Sequence, residues 1–92
     1  MAWRIDFGDK AKGELAALDK SIARRIIKFL RERVAPLEDP RSIGEALKGS
    51  RLGGFWKYRV GVYRLICDIE DDQVRVLVVR VWHRSAVYKP KR

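Results

Sequence analysis

The chain has 92 residues, 47% hydrophobic and 36% charged, which is one small globular core and no more. No run approaches the roughly 20 apolar residues of a membrane span, and a lone cysteine, Cys67, excludes an internal disulfide. The formal net charge of +9 favours anionic partners over a membrane interior. The opening "MAWRIDFGDK" lacks the apolar stretch of a secretory signal. A single domain over 1–92 in a reducing cytoplasm is the expectation.

"AWRIDF" (2–7) alternates and predicts a short strand with Trp3, Ile5 and Phe7 on one face. Asp9 follows as an N-cap. Ala11, Leu15, Leu18, Ile22, Ile26, Phe29, Leu30 and Val34 recur at spacings suited to a helical stripe. "DKS" at 19–21 offers a second cap, so two helices are predicted, about 9–18 and 20–34, as a hairpin ended by Pro36 and Pro40. Residues 36–54 read as a connecting loop with one helical turn near 41–46; loops of that length are often functional. Strands are predicted at about 55–60, 62–70 and 73–82. The fold class is therefore α+β: an N-terminal strand, a helical hairpin, then a three-stranded antiparallel meander completing one sheet.

The charge is uneven. Residues 1–45 hold ten basic and eight acidic side chains, whereas 46–67 hold five basic and none acidic, and 73–92 hold six basic and none acidic. Only "DIEDD" (68–72) interrupts the excess. A phosphate backbone or an acidic protein fits such a half.

Gly61 separates two alternating runs. A type II′ turn at Gly61–Val62 pairs Val60 with Tyr63, Arg59 with Arg64, Tyr58 with Leu65, and Lys57 with Ile66. One face then carries Trp56, Tyr58, Val60, Tyr63, Leu65, Cys67 and Ile69, which suits packing on the helices. The other carries Lys57, Arg59 and Arg64. Like charges directly opposite one another destabilise a ladder, so Arg59 facing Arg64 points to an anionic ligand rather than a merely wet face. A turn at Asp71–Asp72 places Val74, Val76 and Val78 on the core face and Leu77, Val79 and Val81 on the cationic one.

His83, the only histidine, stands in "WHRSAVY" beside Arg84; a structural and a functional role weigh about equally there. The Tyr88 hydroxyl suits proton transfer if cations lower its pKa. Ser85 has no base-plus-acid arrangement. One Cys and one His make no metal site, "GSRLGG" leads into a strand rather than a helix, and no cofactor is implied. Trp56 falls on the core face, leaving Trp82 and Tyr88 as aromatics open to stacking on bases.

The stretch "LKGSRLGGFWKYRVGVYRLICDIEDDQVRVLVVRVWHRSAVY" resembles the RelE/ParE superfamily of toxins from bacterial and archaeal toxin–antitoxin pairs. "WRIDFGDKAKGELAALDKSIARRI" is similar to its first strand and helix pair, "ALKGSRLGGFWKYRVGVYRLI" to its most diagnostic stretch, and "WHRSAVY" to its closing motif. The resemblance implies the same order of elements and an acidic antitoxin that wraps the toxin. It implies two alternative activities. RelE-type members cut mRNA in the ribosomal decoding site with a basic cluster and no metal; ParE-type members inhibit DNA gyrase and lack that cluster. The RelE-type positions fall on Lys57, Arg59, Arg64, Arg84 and Tyr88. Arg59 stands where a lysine is common, and the spacing from Arg84 to Tyr88 is shorter than in some members, so His83 and Arg84 both qualify for one place.

The RelE reading carries a chemistry: attack of an RNA 2′-hydroxyl on the adjacent phosphate, giving a 2′,3′-cyclic phosphate and a 5′-hydroxyl. Arg59 and Arg64 suit the phosphate, because a planar fork binds two oxygens at once. Lys57 stabilises charge or assists as base. Tyr88 is the candidate base, and His83 or Arg84 the candidate acid, with His83 better suited near neutral pH.

Overall fold

The computed structural model describes residues 2–47 and 54–85. Five strands form one sheet in the order β1-β5-β4-β3-β2: β1 (Arg4–Phe7), β2 (Glu45–Ala46), β3 (Trp56–Val60), β4 (Tyr63–Glu70) and β5 (Arg75–His83). Strand β1 lies parallel to β5, and the other neighbours are antiparallel. Helices α1 (Asp9–Ala16) and α2 (Lys20–Phe29) form the predicted hairpin. The second continues through a π-helical turn, Leu30–Val34, in which the Ala35 N–H reaches the Leu30 carbonyl. Gly8, not Asp9, caps α1, and Asp9 lies in its first turn. Among the described residues no helix is long and apolar enough to cross a membrane.

Alternation and the helical stripe explain the core. Ala11, Ile26, Leu30 and Val34 from the helical hairpin meet Tyr58, Leu65, Cys67, Val76 and Val78 from the sheet. Trp3, Ile5 and Phe7 pack against this cluster as their spacing predicts. Phe29 sets its ring edge against Tyr58 at 5.9 Å. The helices therefore cover one face of the sheet, the face of Tyr58 and Leu65.

The predicted β3–β4 register is found without a slip, Arg59 opposite Arg64 included. Gly61 has φ +59, and Val62 beside it has no positive φ, as a type II′ turn requires. The next turn differs from expectation. Glu70 pairs with Arg75, and Asp71–Gln73 makes a 3-10 turn closed by Val74 at φ 49, so four residues rather than two connect the strands.

Strand β5 also carries a bulge. Ile66 pairs with Arg80 but Cys67 pairs with Val78, leaving Val79 as the extra residue. The phase inverts beyond it. Val81, expected on the cationic face, pairs with Leu65 and is buried in the helix-side core. Arg80 and Trp82 take the open face instead, opposite Ile66 and Arg64.

The 36–47 segment holds a 3-10 turn, Pro40–Ser42, and then β2, where a helical turn near 41–46 was expected. The Tyr58 hydroxyl donates to the Pro40 carbonyl at 2.7 Å, and the Trp56 indole N–H donates to the Ile43 carbonyl at 2.7 Å. Arg41 clamps the far turn through Asp71 at 2.9 and 3.1 Å. These three contacts hold the connection against the sheet and deliver Glu45 to the edge of β3.

Candidate functional site

The face away from the helices gathers two cross-strand rows. One runs Glu45, Lys57, Ile66, Arg80; the next runs Arg59, Arg64, Trp82. Lys57 and Arg64 are 8% and 6% exposed, unusually buried for basic side chains. Such groups need anionic or hydrogen-bonding partners. Lys57 has one in Glu45, whose carboxylate lies 3.2 Å from Nζ.

Arg64 is held by the turn itself. Its Nη1 donates to the Gly61 carbonyl at 3.1 Å and the Tyr63 carbonyl at 3.0 Å. Its Nε is buried and has no hydrogen-bond partner. An unsatisfied buried guanidinium N–H costs stability. Arg59, directly across the ladder, is exposed and has no ion-pair partner among the described residues. The two guanidinium groups thus offer one fork fixed by the turn and one exposed to solvent.

The cations continue round the edge of β3. A cleft of about 360 Å³ is lined by Phe29, Arg33, Ile43, Gly44, Glu45, Lys57, Tyr58 and Arg59. A neighbouring groove of about 500 Å³ adds Arg25, Lys28, Glu32, Val60 and Gly61. Arg59 and Arg33 line both.

At the opposite border, α1 runs along β5 where β1 has ended. Glu14 accepts from Arg80 Nε at 2.9 Å and Nη2 at 2.6 Å, and from the Val81 backbone N–H at 2.7 Å. Burial alone would raise the Glu14 carboxyl, but Arg80 and the Val81 N–H outweigh it and hold it below the usual range. Arg80 lies over the Trp82 ring at 4.7 Å.

Of the expected site residues, Lys57, Arg59 and Arg64 come together. His83 does not share their row: it pairs with Tyr63 on the helix side, their rings edge to face at 5.7 Å. Its Nδ1 is 2.9 Å from the Ser85 hydroxyl. Arg84 follows at the exposed strand end, its backbone N–H bonded to the Val62 carbonyl. Tyr88 lies outside the described residues. Glu45, Arg80 and the cations of α2 were not singled out from sequence. Glu45 sits in a two-residue strand too short to alternate, while nothing in the spacing of Arg25, Lys28 and Arg33 along the helical run sets them apart from other basic residues. Among the described residues no three His, Cys, Asp or Glu side chains group as a metal site.

Comparison with known proteins adds a family. The profile described as the ParE toxin of the type II toxin–antitoxin system parDE matches residues 5–88. The toxin RelG of Mycobacterium tuberculosis is 28% identical over 89 residues, covering 97% of this chain and 99% of the relative. The mRNA interferase toxin RelE of Escherichia coli is 33% identical over 90 residues, covering 96% and 92%. Among solved structures, the toxin–antitoxin complex RelBE2 of Mycobacterium tuberculosis matches with a TM-score of 0.81 at 27% identity, over 92% of this chain and 94% of that one. A mutant of Escherichia coli RelE in the free state matches at 0.74 and 30% identity, over 96% and 92%.

Proposed function

This chain belongs to the ParE toxin family of type II toxin–antitoxin systems, and we propose that within it the chain is a RelE-type endoribonuclease that cuts mRNA on the ribosome. One observation carries the reading: the buried, unpartnered Nε of Arg64, set across the ladder from the exposed Arg59. A phosphodiester's two free oxygens match this pair of forks. The likeness to a toxin named as an mRNA interferase supports it.

The reaction moves the RNA 2′-oxygen onto the adjacent phosphorus. The P–O5′ bond breaks, leaving a 2′,3′-cyclic phosphate and a 5′-hydroxyl. Arg59 and Arg64 hold the phosphoryl oxygens as negative charge grows on them, the stage at which fixed donors contribute most. The 2′-hydroxyl proton passes to a base, and Glu45 is the carboxylate in the site, with Lys57 as its counter-ion. Tyr88 is the other acceptor the family resemblance implies. Arginine does not serve here, since it stays charged. The departing 5′-oxygen takes its proton at the end of β5, where His83 and Arg84 stand; an imidazole can give up a proton and a guanidinium does not. Neither metal nor cofactor enters this scheme.

In the cytoplasm the chain is held by an acidic antitoxin, as the RelB complexes among its structural neighbours suggest. The groove containing Arg25, Lys28, Arg33 and Arg59 suits such a partner by charge.

The test is incubation of the folded chain with mRNA on programmed ribosomes and with the same mRNA free. Cuts on the ribosome alone, ending in a 2′,3′-cyclic phosphate, are expected. Glu45→Gln and Tyr88→Phe separate the two bases: the true one loses about 10²-fold or more in rate. The matched profile is that of ParE itself, which favours a second reading, inhibition of DNA gyrase without RNA chemistry. Intact mRNA together with blocked gyrase supercoiling would select it.

A further inference from the structure

Trp82 lies on the open face directly opposite Arg64, and Arg64 lies opposite Arg59. The Cβ atoms of cross-strand neighbours are about 5 Å apart, so both side chains leave the sheet within one nucleotide's span. The indole is half-buried and does not belong to the hydrophobic core. Among the described residues no second aromatic ring packs on it. Arg80 does cover it, with its guanidinium carbon 4.7 Å from the ring centroid. Arg80 is itself fixed by two hydrogen bonds to Glu14 of α1, at 2.9 and 2.6 Å. Glu14 is anchored in turn by the Val81 N–H at 2.7 Å. One side of the indole is thus backed by a cation that cannot easily leave, and a backed ring stands as a rigid platform.

We infer that Trp82 stacks the base next to the phosphate held by Arg59 and Arg64, and that the Glu14–Arg80 pair fixes the indole for that task. The inference rests on the RNA-cleavage reading and adds to it a base-recognition element. Every base has a face to stack, but purines offer the larger one, so the position favours adenine or guanine over uracil or cytosine. Trp82 touches substrate in this scheme; Arg80 and Glu14 are positioning residues.

The test uses the folded full-length chain and two probes, 2′-O-methyl hexamers of adenosine and of uridine, which cannot be cut. Binding is read by fluorescence anisotropy for wild type, Trp82→Leu, Trp82→Phe and Arg64→Ala. Trp82→Leu is expected to weaken the adenosine hexamer by roughly tenfold or more and the uridine hexamer by less. Trp82→Phe, which keeps an aromatic face, restores most of the difference. Arg64→Ala weakens both probes alike and flattens the salt dependence. In parallel, cleavage on programmed ribosomes of mRNAs differing only at the base beside the cut should lose its purine preference in Trp82→Leu. Unchanged binding and unchanged preference in Trp82→Leu, with both probes weakened by Arg64→Ala, would overturn the stacking role and leave the phosphate site standing. Unchanged binding in both variants would overturn the two together; where the wild type binds neither free hexamer, the ribosome assay decides, and an unchanged purine preference in Trp82→Leu overturns the stacking role.

Discussion

Gly44 precedes Glu45 and sits at φ +82, a left-handed conformation that L side chains rarely adopt. A Cβ there would stand 2.6 Å from the Lys57 carbonyl oxygen, 2.7 Å from the Trp56 indole nitrogen and 2.9 Å from Tyr58 Cδ1. None of these can retreat cheaply. The carbonyl belongs to β3, the indole is bonded to the Ile43 carbonyl, and the Tyr58 ring is fully buried with its hydroxyl on the Pro40 carbonyl. Gly44→Ala therefore costs about 1–2 kcal/mol for the backbone conformation and about 1–3 kcal/mol for overpacking. Equilibrium urea unfolding should show a loss of about 2–5 kcal/mol, with a lower midpoint and an unchanged slope. Relief of the clash lifts β2 from β3 and parts Glu45 from Lys57, so on the proposed RNA-cleavage reading the rate of cutting should fall in the fraction that stays folded. Gly13→Ala is the control. Its added Cβ meets nothing within 4 Å, and it lies inside α1, so the change stabilises by about 0.4–1 kcal/mol. A loss below about 1 kcal/mol for Gly44→Ala would refute the packing argument.

Three further predictions concern stability. Tyr58→Phe strands the Pro40 carbonyl and should cost about 1–3 kcal/mol in the same unfolding assay. Glu14 is held below its ordinary range when folded, so its contribution is present above the unfolded value of about 4.3 and fades as pH falls through the folded one. Glu14→Gln should thus be less stable than wild type at pH 7, and the gap should close in acid. Asp68 behaves oppositely. Burial, then the bond it shares with Glu70, raises its carboxyl, so the folded chain favours the protonated form and the ionised one opposes folding. Asp68→Asn should be at least as stable as wild type at pH 7, with any advantage vanishing below about pH 4.

The hairpin was legible because two independent signals agree on it. Glycine at the turn selects one turn type, and an apolar alternation on both sides, broken only at Ile66, leaves one register that buries Tyr58 and Leu65. Beyond Cys67 the signals fail. "VRVLVVRVW" is apolar at both phases, so nothing in it marks where a residue is skipped. The bulge at Val79 moves Val81 and His83 to the helix side and brings Arg80 and Trp82 beside Arg64. Glu45 was hidden for another reason. Its strand has two residues, and its place is set by Tyr58, Trp56 and Arg41 gripping the preceding turn, contacts that span 13 to 30 positions. The cations of α2 belong to the site's border only because the hairpin turn stops beside them, with Arg25 packed 3.3 Å from the space a Gly61 Cβ would fill.

The most direct measurement is the single-turnover rate of mRNA cleavage on programmed ribosomes for wild type and Arg64→Ala, each shown to be folded by its near-ultraviolet circular dichroism. If the face bearing Lys57, Arg59 and Arg64 is the active site, the variant loses about 10²-fold or more, as removal of one preorganised charge-stabilising donor does elsewhere. A folded Arg64→Ala that cuts at the wild-type rate would contradict that assignment.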